Sequence, residues 1–245
     1  MAYQIAVNGS PPAPGVDVAG RQLFENSMDS GERRVLADIG GKPIRSWDSR
    51  GHILRSTYDE LQRPTHRFVQ RESEPELLAE RTVYGEGHSE AASLNLRGQV
   101  YQVYDGAGVV TSRRIDFKGN LLVGSRQLAR EYRTTMDWSV LAGLTEISEI
   151  EAAAVALLEV GIFTTQTDYD ALNRPVAITT PDNSVTLPTY NEANLLEQMA
   201  VRLRGASQTT LFATNINYNA KGQRELISYA TTDGTNFTTT YDYDP

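Results

Sequence analysis

The dipeptide Tyr-Asp recurs down this chain, with a turn-forming residue three positions after the Asp. Tyr58-Asp59, Tyr104-Asp105, Tyr169-Asp170 and Tyr241-Asp242 are the full copies. Tyr190-Asn191 and Tyr218-Asn219 are close variants, and Trp47-Asp48 opens the series. Self-similarity at a spacing of a few tens of residues marks a chain built by stacking one supersecondary unit. The work of such a chain lies in the surface or enclosure it builds rather than in one reactive centre.

The local chemistry of each copy specifies a hairpin. Asp or Asn at the first turn position bonds the backbone two residues on. Gly or Asn three residues later accepts the positive φ that follows a type I turn. Trp47-Asp48-Ser49-Arg50-Gly51, Tyr104-Asp105-Gly106-Ala107-Gly108, Asp116-Phe117-Lys118-Gly119 and Tyr218-Asn219-Ala220-Lys221-Gly222 follow this grammar. Apolar and β-branched residues flank the turns: Val100, Tyr101, Val103 and Tyr104 before one, Val109, Val110 and Thr111 after it, and Phe237 to Tyr241 elsewhere. Such residues favour strands. Tyr58 to Tyr84 spans 26 residues, Tyr84 to Tyr104 spans 20, Tyr169 to Tyr190 spans 21 and Tyr218 to Tyr241 spans 23. That period accommodates one hairpin and its return. A lone hairpin is marginal in water, so the units must pair edge to edge. The expected fold is mainly β: a curved antiparallel sheet of stacked hairpins. Its tyrosines pack on neighbouring hairpins, and its Asp residues serve as turn formers before they serve as acids.

Composition narrows the function classes. With 245 residues, 40% hydrophobic and 22% charged, the chain has the makeup of a folded soluble protein. No apolar run reaches a membrane-spanning length, so direct membrane insertion is not expected. A net charge of −8 disfavours nonspecific nucleic-acid binding. The absence of cysteine removes disulfides, thiol catalysis and Cys-type zinc sites. Met1 to Val7 lacks a signal peptide's basic start and apolar core.

Organisation follows from composition shifts. Residues 1–20, with Pro11, Pro12, Pro14, Gly15 and Gly20, read as a poorly ordered leader. Residues 21–245 read as repeat material. Within them, 71–92 is charged and expected as a loop or short helix. Residues 145–161 form a helical insertion: Ile147, Ile150, Ala154, Leu157 and Leu158 recur at helical steps near 146–160, Ser148 and Glu151 resemble a capping box, and Gly161 is a natural stop. The sequence ends at Tyr241-Asp242-Tyr243-Asp244-Pro245, the opening of a further unit, which is read as a truncation of something longer.

The sequence carries no HExxH, GxSxG, Walker or GxGxxG motif, and no catalytic, cofactor-binding or metal-binding residue is assigned. His52, His66 and His88 show no ligand spacing. Gly40-Gly41-Lys42 lacks the upstream Gly of a phosphate-binding loop. Asp168/Asp170 and Glu149/Glu151 imitate a glycosidase pair, since a one-residue gap on a strand places both side chains on one face.

The repeat resembles the YD repeats of RHS proteins. The ordered strings Ser46 to His52, Tyr58 to Pro64, Val83 to Glu86, Leu94 to Gly98, Asp116 to Asn120, Tyr169 to Pro175, Thr180 to Ser184, Tyr190 to Leu196 and Tyr218 to Arg224 look like the RHS-bearing part of the B component of Tc insecticidal toxin complexes, over about residues 17–245. The resemblance implies a bacterial toxin complex that is secreted or exported. It implies a shell wound from B and C components around an unfolded cytotoxic domain, and a pore-forming A component that docks on a region outside this chain. The propeller, the self-cleaving core and the toxin of that family have no counterpart in these residues. The expected role is therefore a non-enzymatic wall segment whose partners are the remaining shell segments and the enclosed toxin domain. Two other readings stay open: a cell-surface adhesin or carbohydrate-binding module, and a β-solenoid glycan hydrolase.

Overall fold

The structure, a computed structural model, describes residues 4–5, 13–17, 19–231 and 236–244. Much of the stretch expected as a leader lies outside the described residues. The strands are β1 Gln4–Ile5, β2 Ala13–Pro14, β3 Phe24–Ser27, β4 Gly31–Ala37, β5 Pro43–Asp48, β6 His52–Tyr58, β7 Pro64–Arg71, β8 Leu77–Tyr84, β9 Val100–Asp105, β10 Gly108–Ile115 and β11 Leu121–Ala129. After a helix, α1 Ile147–Ala154, come β12 Leu158–Tyr169, β13 Pro175–Thr179, β14 Val185–Tyr190, β15 Leu196–Arg202, β16 Thr210–Tyr218, β17 Arg224–Ala230 and β18 Asn236–Thr240. β3 to β18 lie side by side in chain order in one open, 16-stranded sheet, and β1 pairs with β2 alone. The fold is mainly β, as the hairpin grammar requires. Where the turns are short they leave a strand no neighbour but the next, and the longer connections from β8 to β9 and from β11 to β12 keep the same chain order. Pro43, Pro64 and Pro175 each begin a strand, a place where a missing N–H costs the ladder little.

The chain divides into two compact units, residues 1–89, 98–110 and 127–160, and residues 90–97, 111–126 and 161–245. In the first, Tyr104, Leu78, Leu141, Ile150 and Trp138 are almost fully buried. The segment carrying α1 lies over β8: the Leu78 amide donates to Asp137 Oδ1 at 3.0 Å, and the Trp138 amide donates to the Leu78 carbonyl at 2.9 Å. The Trp138 ring meets Tyr104 edge-on at 5.1 Å, and its indole N–H donates to the Asp105 carbonyl. In the second unit Ala213, Ile216 and Ile227 form the core, with Leu196, Met199, Tyr218 and Tyr229 packed against it.

Three local expectations are corrected. The charged stretch 71–92 is not a loop or helix throughout, because β8 occupies Leu77–Tyr84 and only Gly85–Gly87 is a 3₁₀ turn. Pairing decides it: Arg81 and Val83 are buried two residues apart, and a register shift opposite Arg67 and Phe68 brings Leu78 onto the same buried face, while Glu80 faces Arg67 at 3.9 Å. The helix is present but shorter, with α1 at Ile147–Ala154 and a 3₁₀ turn at Val155–Leu157. Gly161 then falls inside β12 and is no stop. Ser148 and Glu151 do not cap. The extended residue before α1 is Glu146, and the Glu151 carboxylate instead accepts the Tyr101 hydroxyl at 3.0 Å and the Gln102 amide at 2.9 Å.

Candidate functional site

The recurring turns are the most organised polar feature of the molecule. In one of them the Asp59 amide donates to the Arg63 carbonyl at 3.0 Å, and the Gln62 amide donates to the Asp59 carbonyl at 2.9 Å. The Asp59 carboxylate accepts the Arg63 amide at 2.8 Å. Asp48, Asp116, Asp170, Asn191 and Asn219 each accept amides two and four residues on. The fourth residue takes positive φ, at 77° in Gly51, 92° in Gly119 and 75° in Gly222, with Gln62, Asn173 and Asn194 in the same region. The side-chain oxygen thus fixes the loop, and the fourth position must tolerate a left-handed backbone. The same turn occurs at Asp17–Arg21.

The fifth turn residue has a role that the dipeptide conceals. Arg63 Nε lies 2.7 Å from Asp59 Oδ2, and Arg174 Nε lies 2.7 Å from Asp170 Oδ2. Each cation also covers the tyrosine of the next unit. The Arg63 guanidinium lies 3.8 Å from the Tyr84 ring centroid, Arg174 lies 4.6 Å from Tyr190, and the Lys42 ammonium lies 5.5 Å from Tyr58. The tyrosine hydroxyl then reaches back to the carbonyl just past the previous turn: Tyr58 to Pro43 at 2.8 Å, Tyr84 to Pro64 at 3.1 Å, Tyr190 to Pro175 at 2.9 Å, Tyr218 to Leu196 at 2.7 Å and Tyr243 to Arg224 at 2.8 Å. Arg63 also donates to Glu86, and Arg174 to Asn194, joining adjacent turns along the rim. The Asp116 and Asp170 turns are joined by Lys118 Nζ to the Ala171 carbonyl at 2.6 Å and Asn120 to Asn173 at 3.0 Å. The arrangement is a ladder of turn, cation and ring, with each rung shared by two units.

Some members of the series depart from it. Tyr104 is buried against Trp138 and donates to Gln102 Oε1, so it packs in the core and makes no rung. Asp105 closes a two-residue loop by accepting the Ala107 amide. Gly108 there has φ 129°, and a Cβ would fall 2.1 Å from the Gln127 carbonyl oxygen. At the C-terminal end, Tyr243 carries the rung while Tyr241 follows β18 and donates its amide to Glu225. Tyr169 pairs with Pro175 at the end of β12. Trp47 stands opposite Arg34 and Ile53 on β5. Arg63, Arg174, Tyr84 and Tyr243 are the rung residues that the dipeptide alone misses. The signal for the arginines is a basic residue four positions after the Asp.

The electrostatics follow the geometry. Amide and guanidinium groups of Arg174 hold the Asp170 carboxyl below its ordinary value. Burial alone would raise Asp59, but the Arg63 amide and side chain outweigh it and the net shift is downward. Asp182 is lowered to about 2, chiefly by the Thr180 hydroxyl and then by the Ser184 hydroxyl and amide. These carboxylates are anchored as anions, the opposite of a general acid. The pairs that imitated a glycosidase do not converge. Asp170 is held in its turn by Arg174, while Glu149 and Glu151 lie on α1 and Glu151 faces β9. Among the described residues no cluster of three or more His, Asp or Glu side chains suits a metal ion, and no helix is long and apolar enough to cross a membrane.

No protein-family model matches the chain. Toxin subunit YenC2 of Yersinia entomophaga is 24% identical over 249 residues, spanning 93% of this chain. A TcdB2-TccC3 structure without its hypervariable C-terminal region superposes with a TM-score of 0.78 at 23% identity over 92% of the chain. The Tc holotoxin pore of Photorhabdus luminescens superposes at 0.77 and 21% identity over 95%. The chain has the fold of Tc toxin components. Its resemblance to their RHS repeats therefore stands on fold as well as on ordered motifs. The chain spans 24% of the length of YenC2 and 10% and 12% of the two solved Tc toxin chains.

Proposed function

We propose that this chain is a stretch of the wall of an RHS-repeat shell in an exported Tc-type toxin complex, with no catalytic role of its own. The observation that carries the reading is the fold match over more than nine-tenths of the chain to TcdB2-TccC3. The turns opened by Asp48, Asp59, Asp116, Asp170, Asn191 and Asn219, with their positive-φ residues and the tyrosines that bond back to them, act on this reading as struts that define the repeat. β3 and β18 are the margins of an open sheet, and unpaired strand edges are templates for further strands. In this role they pair with other B and C segments that close around a cargo domain.

The test is coexpression with the remaining shell components and their cargo, followed by size exclusion and limited proteolysis. A wall segment co-elutes with them, and its removal exposes the cargo to protease. A chain that stays a sharply unfolding monomer beside its partners, with the cargo equally protected, would refute the role. One observation favours a second reading, a carbohydrate-binding surface. A cleft of about 510 Å³ is lined by Trp47, Glu32, Arg34, Asp48 and Ser49, and it combines an aromatic ring with polar groups. Glycan-array binding abolished by Trp47→Ala would favour that surface, and no binding would remove it.

A further inference from the structure

A row of side chains crosses four strands of the first unit. Thr57 on β6 pairs with His66 on β7, His66 with Arg81 on β8, and Arg81 with Tyr104 on β9. Arg81 is only 6% exposed. One of its terminal nitrogens donates to His66 Nε2 and the other to the carbonyl of Leu144, in the segment that leads into α1. Its Nε has no partner. Among the described residues no carboxylate lies within ion-pair distance of Arg81, so a buried cation rests on a neutral ring and a carbonyl. Burying a charge without a counter-ion is expensive, and every remaining acceptor matters.

We propose that His66 and Arg81 form an acid-sensitive latch that holds the helical insertion against the sheet. While His66 is neutral, its Nε2 lone pair accepts from Arg81 and Nδ1 stays within reach of the Thr57 and Thr65 hydroxyls, at 2.9 and 3.0 Å. Arg81 is then positioned to grip Leu144. A proton on Nε2 removes that acceptor and sets a second cation against the first. The charged and titratable groups facing the ring offer little relief. Arg55 on β6 is another cation, stacked on Phe68 at 3.7 Å, and Glu76 is bound to it at 2.6 Å. Tyr104 on β9 is a phenol pushed above its ordinary value by burial, so it stays neutral. The Ala142 carbonyl favours the protonated ring, but burial first and then Arg81 and Arg55 outweigh it, and the His66 pKa falls from 6.5 to about 4.

The direction of the pH effect follows. A folded-state value below the unfolded one means that the released form binds the proton first. The latch is therefore intact above pH 6.5, weakens as pH falls below that, and has lost this contribution by about pH 4. For a ring that is only partly buried, solvent screening reduces the shift in the latched-to-released ratio to about tenfold to a hundredfold.

Trp138 sits on the insertion, buried against Tyr104, and reports release directly. With Trp47→Phe removing the other tryptophan, Trp138 emission should move to the red between pH 6.5 and 4 while the far-ultraviolet strand signal persists. His66→Gln keeps an acceptor for Arg81 and cannot take up the proton, so it should abolish that transition. The His66 ring resonance in an NMR titration of the unsubstituted chain should move together with the Trp138 change, which keeps the test decisive if the variant folds poorly. An unchanged transition in His66→Gln would overturn the proposal. So would loss of strand signal at the same midpoint, or titration of His66 near 6.5 with Trp138 undisturbed.

Discussion

Replacing Tyr190 by Phe separates the two halves of a rung. The ring stays under Arg174 at 4.6 Å, while the hydroxyl donor to the Pro175 carbonyl, 2.9 Å away, is lost. A typical internal hydrogen bond contributes about 1 kcal/mol net. Because this one is partly exposed and water can replace the donor, the expected loss is about 0.5–1 kcal/mol. Tyr190→Leu removes the ring as well. The cation–ring contact adds about 0.5–1 kcal/mol at an exposed site, so the Leu variant should lose about 1–2 kcal/mol in all. Urea unfolding followed by circular dichroism reads both values as shifts in midpoint at constant slope. In a melt, each kcal/mol lowers Tm by about 2–4 °C in a chain of this size. Combining each variant with Arg174→Met completes the cycle. Coupling should be about 0.5–1 kcal/mol with Leu and near zero with Phe, since Phe retains the ring that the cation covers. If Phe and Leu cost the same, or neither costs more than about 0.3 kcal/mol, the tyrosine is not a strut and the ladder argument fails.

Other outcomes follow from single residues. Gly108→Ala should cost about 3 kcal/mol or more, because a Cβ there meets main-chain oxygen at 2.1 Å and main-chain nitrogen at 2.7 Å with φ at 129°. Gly106→Ala, in open space in the same loop, should cost under about 0.5 kcal/mol, and thermal melts of the pair decide whether the contact or the loop matters. Asp182, lowered to about 2, contributes stability that is present above its unfolded value of 3.8 and is lost as pH falls toward 2. Its carboxyl carbon resonance should titrate near 2, and a midpoint near 3.8 would show that the Thr180 and Ser184 hydroxyls do not bind it.

The turns were legible because one residue determines each of them. Asp59 or Asn219 acts on its own backbone within four positions, and Gly119 or Asn173 answers a φ requirement that few residues meet. The rungs were less legible because their hydrogen-bond partners lie 15 to 22 residues away in sequence and the residue types vary. Arg63 and Arg174 fill the fifth turn position, but Lys42, Asn120, Leu195 and Gln223 also do. Tyr84 makes a rung without an Asp after it. β8 was obscured by the acidic residues Glu72, Glu74 and Glu76 just before it and by a bulge that spaces the buried Leu78 and Arg81 three residues apart, which breaks the period of two a strand would show. The helical period around Ile147, Ile150 and Ala154 was visible. What Glu151 and Leu144 touch depends on strands far off in sequence, and no local pattern carries that information.

The interruption of the ladder at Tyr104 has the same cause as its regularity elsewhere. A tyrosine at the end of a strand needs a surface for its ring and an acceptor for its hydroxyl. At Tyr84 and Tyr190 the cation of the preceding turn supplies the surface, and the carbonyl beyond it supplies the acceptor. At Tyr104 the helical insertion supplies both needs differently. Trp138 covers the ring, and Gln102, itself held by Glu151 of α1, accepts the hydroxyl. The insertion therefore replaces a rung with a buried core, and the cost of removing Tyr104 should include cavity formation rather than one exposed contact. Repeats joined by rungs depend on their nearest neighbours alone. The segment around Tyr104 depends on residues 30 to 50 positions away, which is why an acid-sensitive contact at Leu144 can act there and has no counterpart at Tyr190 or Tyr218.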